Sequence, residues 1–524
     1  MDHPLAHFPL TRRRLVGTAT GAAALTLIGR PLATTAQDAT PATPLIASPV
    51  PPDPGNVAID LPIEPATLDP ALTYDANGWS VIHSLYDSLV GYDTDGTLRP
   101  LLAESWDVSD PLALTFRLRP DVTFHDGSPL TAADVVATVA HMQDPNTASQ
   151  AAGNFAVVTA TTAVDDLTVR LTLASPAPYL LAQIAAYLAI VPASALTGGA
   201  DLSAAPVGTG PYRFDGWDRG QELRLIASSD YASGSIKGWP LAESATFRFV
   251  NDPSTRVADL LSGNAGIVRD VTVDEVTTVD ASDMATIVVA PVSGLLFVRI
   301  ATDTAPFDDP RVRRALNLAV DVDGIVAALV GGSGQRLATL LDPTSLGDDP
   351  SLPPYPYDPD RAIELLAEAG LGGGFETTLD VTTSDSQVVA QAIAGQLAMV
   401  GISVTVSVVE KAQFDATYAE PAAAPLRMVT WTPMFDPYSL LGLVIASDGF
   451  LSRYANPAAD TLIATGATAT DPADRADAYR QLGTLLHDDP PAIFLYNLTA
   501  RYGVANTVSG WQPRPDEYIL PVRR

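Results

Sequence analysis

Strands are predicted wherever apolar and polar residues alternate along the chain, because successive side chains of a strand point to opposite faces. The alternation is strict at residues 114–119, which read LTFRLR. Residues 402–409, which read ISVTVSVV, form a β-branched run that also favours a strand. Alternation or a short apolar run predicts six strands, over 56–61, 114–119, 168–173, 222–226, 246–250 and 402–409.

Helices are predicted from the residues that begin and end them. Three Asp-Pro pairs stand before amphipathic stretches, with the Asp as N-cap and the Pro at the first helical position. These pairs are Asp309-Pro310, Asp358-Pro359 and Asp471-Pro472. Thr131 and Asp134 have the spacing of a capping box, and Gly401 ends a predicted helix over 387–400. Because strands and helices are mixed throughout, the predicted fold class is α/β.

The composition indicates a large folded protein. The chain has 524 residues, of which 47% are hydrophobic and 17% charged, so we expect it to divide into lobes with separate cores. Its formal net charge of −30 would repel phosphate backbones, which argues against a nucleic-acid partner. The chain has no cysteine, which excludes disulfides, thiolate metal sites and a lipid anchor on an N-terminal cysteine.

The N-terminal segment has the layout of an export signal. Residues 11–16, TRRRLV, resemble a twin-arginine signal. The mildly apolar stretch 18–28 is too short to span a membrane, and small residues follow up to Ala36. We therefore predict a signal peptide over 1–36 and a Pro-, Thr- and Ala-rich tether over 37–55. The exported protein is expected in the periplasm or at the extracytoplasmic cell surface.

A series of motifs in fixed order begins in the stretch 99–136. This stretch contains PLLAESW at 100–106, FRLR at 116–119, FHDG at 124–127 and TAADV at 131–135. Together these motifs resemble the signature of the family 5 extracellular solute-binding proteins, the peptide- and nickel-binding components of ABC importers. Further motifs of that family follow in order at 68–70, 85–89, 206–212, 306–320, 357–370 and 453–462. The resemblance therefore covers roughly residues 56 to 510.

The resemblance implies a type II fold like that of periplasmic binding proteins, with an extra subdomain and two α/β lobes around a ligand cleft. Lobe one would span 56–292 and 496–524, with the subdomain at about 71–196, and lobe two would span 293–495. A two-segment hinge would lie near 291–294 and 494–497. Such a protein is expected to act as a monomer that closes on its solute. It would then deliver the solute to the permease and ATPase complex of the importer.

Two segments carry over from the family as candidate ligand-binding residues. They comprise Tyr74, Asp75 and Ala76 in one loop, and Trp431, Thr432, Pro433, Met434, Phe435 and Asp436 in another. In peptide-binding members of the family, an acid in the second loop pairs with the ligand's α-amino group, and here Met434 stands at its position. Asp436 or Asp75 could replace that acid, although Asp436 could instead cap the helix that Pro437 opens. Trp431 and Phe435 would form apolar walls.

A peptide is the first expectation for the ligand. The alternatives are an oligosaccharide, another small polar solute or a metal chelate, or a role as a sensor or chaperone. The sequence has no nucleophile-elbow, phosphate-loop or His-Glu-x-x-His motif, so we predict no enzyme activity, no catalytic residue and no cofactor. The histidines after the signal are not spaced as a local metal pair, and no metal site is predicted. They are His83, His125, His141 and His487.

Overall fold

The fold is taken from a computed structural model, which describes residues 52–93, 96–231, 237–382 and 386–523. The predicted signal peptide and the predicted tether up to residue 51 lie outside the described residues. The first strand begins at Asp53, which corrects the predicted end of the tether at residue 55. The amide of Asp53 donates to the carbonyl of Leu241 at 3.1 Å, and its carboxylate pairs with Arg523 at 2.7 Å, so these bonds hold it in the sheet.

The strands of the described part of the chain vary from two to sixteen residues. They are β1 (Asp53–Leu61), β2 (Val90–Tyr92), β3 (Leu98–Pro100), β4 (Ala103–Asp107), β5 (Ala113–Leu118), β6 (Val158–Asp165), β7 (Thr168–Leu173), β8 (Tyr212–Asp218), β9 (Glu222–Ala227), β10 (Trp239–Pro240), β11 (Ala242–Phe249), β12 (Ile267–Arg269), β13 (Ala285–Ile300), β14 (Phe375–Thr382), β15 (Ile402–Val409), β16 (Leu426–Trp431), β17 (Ala492–Ala505) and β18 (Val522–Arg523).

Helices alternate with these strands along most of the chain. They are α1 (Ala76–Leu85), α2 (Ala132–Gln143), α3 (Leu180–Tyr187), α4 (Ala193–Thr197), α5 (Pro253–Ser262), α6 (Val273–Asp280), α7 (Pro310–Leu318), α8 (Val322–Leu329), α9 (Pro359–Glu368), α10 (Gln387–Met399), α11 (Lys411–Ala416), α12 (Pro437–Leu440), α13 (Pro457–Thr468) and α14 (Pro472–Asp488). A 3₁₀ turn lies at Ala152–Phe155 and a π-helical turn at Leu441–Ile445.

The predicted helix starts are confirmed. In α7, α9 and α14 the Asp N-cap accepts a hydrogen bond from a backbone amide of the first turn, and the Pro lies at the start of the helix. Thr131 and Asp134 form the predicted capping box of α2. The strands predicted over 168–173 and 402–409 have these bounds in the structure. The strand predicted over 246–250 begins earlier, at Ala242, because its N-terminal residues pair with β1 although they show no alternation.

One mixed sheet runs through most of the molecule. It has ten strands in the order β15-β14-β16-β13-β17-β12-β1-β11-β9-β8. The two long strands β13 and β17 pair antiparallel at its centre, while β1 and β11, and β14 and β15, pair in parallel. A separate four-stranded sheet has the order β4-β5-β7-β6. Together with the helices, these sheets confirm the predicted α/β class.

The apolar side chains form separate buried clusters along this sheet. One cluster, around Phe116, lies between the four-stranded sheet and α2. Another, around Ile59, joins β1 and β11 to the C-terminal segment. The neighbours Phe297 and Val298 belong to two further clusters, which lie on opposite faces of β13 because adjacent strand residues point to opposite sides.

Candidate functional site

Aromatic side chains from distant parts of the chain meet in a group that we call the aromatic cluster: Tyr74, Trp79, Tyr92, Tyr187 and Phe435. The ring centroid of Tyr187 lies 5.3 Å from that of Tyr74, 5.6 Å from that of Trp79 and 6.3 Å from that of Phe435. Tyr92 stacks on Phe435 at 5.0 Å. These separations are typical of favourable aromatic pairs. The cluster therefore brings the two predicted segments together, with Tyr187 between Tyr74 and Phe435.

The first predicted segment lies at the start of α1. Asp75 is the N-cap of this helix, and its carboxylate accepts a hydrogen bond from the amide of Gly78 at 2.8 Å. Ala76 is the first residue of the helix. The side chain of Tyr74 is 44% exposed, so part of its ring is open to solvent. Asp75 is also exposed and forms no ion pair with a basic residue of the described ranges.

The second predicted segment leaves the end of β16. Trp431 is the last residue of this strand and pairs with Leu295 on β13. The hydroxyl of Thr432 donates to the carboxylate of Glu517 at 2.7 Å, and the peptide between Thr432 and Pro433 is cis. This loop is therefore bonded to the C-terminal segment of the chain.

Met434 lies inside the core rather than at an open surface. Met434 is only 2% exposed, and its side chain packs in the same apolar cluster as Phe297. Its amide donates to the carbonyl of Ser293 at 2.7 Å, and its carbonyl accepts from the hydroxyl of Ser293 at 2.5 Å. The residue at the position of the family acid thus contributes packing and backbone bonds, but no charge.

Asp436 is committed to bonds within the fold. It caps α12 by accepting from the amide of Tyr438 at 3.0 Å, as the sequence indicated, and it pairs with Arg475 at 2.8 Å. Burial raises the pKa of the Asp436 carboxyl, and the charge of Arg475 opposes that rise. Within the described part of the chain, the cationic partner of Asp436 is therefore Arg475, a buried residue of α14.

Glycine is required where β13 passes the second segment. A Cβ atom added at Gly294 would lie 2.8 Å from the Cβ of Thr432 and 2.9 Å from the carbonyl oxygen of Trp431. Contacts this short do not occur between real side chains and backbone atoms. At the neighbouring position, the amide of Ser293 donates to the carbonyl of Pro515 at 2.9 Å, so β13 joins the second segment to the C-terminal segment.

A small pocket lies beside the aromatic cluster, with room for about one water molecule. Its lining includes His83, Tyr92, Lys237, Phe435, Arg514, Asp516 and Tyr518. Lys237 pairs with Asp87 at 2.6 Å and Arg514 with Asp516 at 2.5 Å. Burial, with the nearby charges of Lys237 and Arg514, holds the pKa of His83 well below its usual range, so its imidazole is neutral. The charges around this pocket are balanced.

Sequence reasoning missed several residues of the site. Tyr92, Tyr187 and Glu517 lie on β2, on α3 and near the C-terminus, far along the chain from the segments that they contact. Tyr187 ends an apolar helix, where the local pattern indicates only core packing. Only the tertiary structure shows that these residues converge.

The histidines mainly hold backbone groups in place. A ring nitrogen of His125 lies 3.0 Å from the carbonyl of Gly210, and one of His487 lies 2.9 Å from the carbonyl of Ala338. Within the described ranges, no group of three or more His, Asp or Glu residues is placed to hold a metal ion. No helix in those same ranges is both long enough and apolar enough to cross a membrane.

Comparisons with known proteins identify the family of this chain. Residues 97–450 match the family model described as bacterial extracellular solute-binding proteins, family 5 Middle. The chain is 32% identical to the glutathione-binding protein GsiB of Pectobacterium atrosepticum, over 86% of this chain and 90% of the relative.

Solved structures of binding proteins share the fold. AgaA from A. tumefaciens R10, in complex with agropinic acid, is 27% identical and has a TM-score of 0.74, covering 88% of this chain and 96% of its own. DppA from Helicobacter pylori, a periplasmic binding protein associated with an ABC transporter, in complex with the peptide STSA, is 25% identical with a TM-score of 0.74. That match covers 90% of this chain and 97% of DppA. The predicted periplasmic-binding-protein-like fold is thereby confirmed.

Proposed function

Because this chain belongs to the family 5 bacterial extracellular solute-binding proteins, we propose that its ligand is a short peptide, with the tripeptide glutathione as the first candidate. Members of this family are substrate-binding components of ABC importers and are not enzymes, so the chain serves an importer's permease. The observation that carries the choice of ligand is the 32% identity with a glutathione-binding protein over 86% of this chain.

The aromatic cluster supports a small ligand with planar peptide groups. Its rings offer apolar faces against which peptide planes and side chains can stack. Tyr74 is partly open, and Thr432, Phe435 and Asp75 lie on the segments that the cluster joins. The charges of the neighbouring pocket are already paired, so stacking and hydrogen bonds would hold most of the ligand.

Two lobes are proposed to close on this ligand, with lobe one at 56–292 and 496–524 and lobe two at 293–495. The arrangement of the cores supports this division, since Val292 and Ala500 belong to one apolar cluster and Leu296 and Leu495 to another. The pairing of β13 with β17 is also irregular between Pro291 and Leu295. Hinges are formed by a few residues at such places. The extra subdomain at about 71–196 would close with lobe one.

Export is proposed to depend on residues 1–36 as a twin-arginine signal. The family is periplasmic, so the protein would work outside the cytoplasm, and we propose that it does so as a monomer. The chain has no cysteine that could carry a lipid, so no lipid anchor on a cysteine is proposed. The net charge of −30 supports the absence of a nucleic-acid partner. Replacing the arginines at 12 and 13 by lysine should keep the protein in the cytoplasm, as measured by fractionation, whereas unchanged export would exclude the twin-arginine route.

Thermal shift and calorimetry with a panel of solutes test the ligand class. The panel is glutathione, di- to pentapeptides, an opine, an oligosaccharide and Ni²⁺. A ligand at 100 times its Kd should raise the free energy of unfolding by roughly 2.7 kcal/mol. Stabilisation by glutathione or peptides alone supports the proposal. Stabilisation only by the opine, the sugar or the metal would exclude a peptide ligand while leaving the family assignment intact.

A further inference from the structure

The ten-stranded sheet ends on one side at β15, and the outer edge of this strand is open. Within the described ranges its one strand partner is β14, in a parallel register that pairs Phe375 with Ile402. The amide of Phe375 donates to the carbonyl of Gly401 at 3.2 Å, so alternate residues of β15 direct their backbone groups to β14. After Ile402, no residue of β15 is buried. The residues of this open part whose amides and carbonyls point outward are Val404, Val406 and Val408.

The open edge has the same chemistry when it is read in either direction. Residues 404–408 read VTVSV, so a hydroxyl residue and then a valine follow Val406 on each side. Val404 and Val406 pack against the apolar cluster that β15 shares with α10, while Thr405 and Ser407 lie on the other face of the strand. The strand is therefore complementary to a second copy of itself that runs in the opposite direction.

The surface around this edge carries no charge. Residues 386–409, which include α10 and β15, contain no Asp, Glu, Lys or Arg, although the chain has 60 acidic and 30 basic residues. On α10, Val388 and Met399 are 61% and 60% exposed. Because the net charge of −30 makes two copies of the chain repel each other, a neutral and partly apolar surface is where two copies can approach most easily.

The other edges of the two larger sheets are protected against pairing. β8, at the far end of the ten-stranded sheet, carries Arg213, Asp215 and Asp218, and its register with β9 shifts after Phe214. β4 and β6, which end the four-stranded sheet, also carry acidic residues and have irregular registers. Charges and irregularities of this kind keep edge strands from pairing with other chains. The register of β15 is regular, and the strand has neither feature.

We propose that β15 pairs antiparallel with β15 of a second copy of this chain, about a two-fold axis at Val406. In this register Val404 lies opposite Val408 of the second copy, and Thr405 lies opposite Ser407. The outward-directed amides and carbonyls of the valines then bond to each other, and pairs of β-branched residues across the strands stabilise the contact. Because both copies use the same edge, the association closes after two chains.

The dimer is a second state of the proposed monomer, populated as the protein concentration rises. β14 and β16 lie between β15 and β13 in the sheet, so each copy keeps the aromatic cluster and both ligand segments within its own chain. A contact through one strand buries little surface, which makes the association weak and reversible. The pairing requires no ligand, so it can fail while the proposed function holds, and the reverse is equally true.

Analytical ultracentrifugation at micromolar to millimolar protein concentrations tests the pairing. The wild type should change from monomer to dimer, and added salt should strengthen the dimer because it screens the repulsion between two acidic chains. Thr405→Lys combined with Ser407→Lys places like charges opposite each other and should raise the Kd of the dimer at least tenfold. Thr162→Lys combined with Val164→Lys, at exposed positions on β6, is the matched control and should leave that Kd unchanged.

Mixing experiments test the register. The double lysine variant and the corresponding double glutamate variant should each stay monomeric, whereas their mixture should form a heterodimer because opposite charges then face each other. Thr405→Cys and Ser407→Cys, in a chain without other cysteines, should form a disulfide between copies when they are mixed. Each variant alone should form little, because equal positions in the two strands lie about 7–8 Å apart. This test also decides if the lysine variant does not fold.

Three results would overturn the proposal. They are a wild type that stays monomeric at every concentration, a dimer that persists in the double lysine variant, and disulfides that form as readily in each cysteine variant alone as in the mixture. Calorimetry with glutathione separates these results from the ligand question. Its Kd should be the same in the wild type and the double lysine variant, because β15 lies outside the aromatic cluster and both ligand segments.

Discussion

Asp436 shows how an acidic residue of a predicted ligand loop can be held by bonds within the fold. Its carboxylate and Arg475 are both nearly buried, with side chains 8% and 9% exposed. Removing one partner of a buried ion pair leaves the other charge without compensation, which costs about 3–5 kcal/mol. We therefore expect Asp436→Ala to lower the free energy of unfolding by about that amount in urea denaturation.

The matched control for Asp436 is an ion pair at the surface. Asp477 pairs with Arg480 on α14, where both side chains are about half exposed. An exposed pair contributes roughly 0–1 kcal/mol, so Asp477→Ala should change stability little. If the two variants behaved alike, the pair between Asp436 and Arg475 would not be the anchor that its burial indicates.

At the scale of helices and strands, the sequence predicted the elements whose bounds depend on residues that are neighbours along the chain. The Asp-Pro helix starts and the strands at 168–173 and 402–409 depend on capping and alternation, which a sequence displays directly. The missed beginnings of β1 and β11 depend on pairing between distant residues, Asp53 with Ala242. Where a strand begins because it pairs with a distant strand, the residues around that beginning do not indicate it.

Gly294 makes a close approach between β13 and the second ligand segment possible. Gly294→Ala would place a methyl group 2.8 Å from the Cβ of Thr432, and relieving such overpacking costs about 1–3 kcal/mol. We expect a lower free energy of unfolding and weaker ligand binding, because the Thr432 loop must move. Gly395, on α10, has open space around it, so Gly395→Ala should be neutral or slightly stabilising. Equal effects of the two variants would contradict the close approach.

At the scale of the whole molecule, the site depends on convergence that no single segment reveals. Tyr74 and Phe435 lie in segments that the family motif identifies, but Tyr187, which links them, and Glu517, which binds Thr432, come from α3 and the C-terminal segment. The resemblance also predicts Met434 and Asp436 as ligand-binding residues, and both are buried in the structure. The sequence could predict which loops to consider, but the direction and the partners of their side chains depend on the fold.

A substitution of Phe435 can test whether the aromatic cluster joins the two proposed lobes. It stacks on Tyr92 at 5.0 Å and meets Tyr187 at 6.3 Å, and in the proposed division these partners belong to the opposite lobe. Each aromatic pair contributes about 0.5–1.5 kcal/mol beyond the buried area. Removing the ring should therefore weaken the closed form by a factor of about 10 to 100.

Phe435→Ala should accordingly raise the Kd for glutathione by that factor and reduce the decrease in radius of gyration that ligand causes in small-angle scattering. Phe450→Ala removes the same side chain where it is 67% exposed and should leave both measurements unchanged. If Phe435→Ala raised the Kd but left the ligand-induced compaction intact, the ring would contact the ligand without joining the lobes. If neither quantity changed, the aromatic cluster would lie outside the ligand site, and closure would have to depend on the contacts of Ser293 and Thr432 with the C-terminal segment.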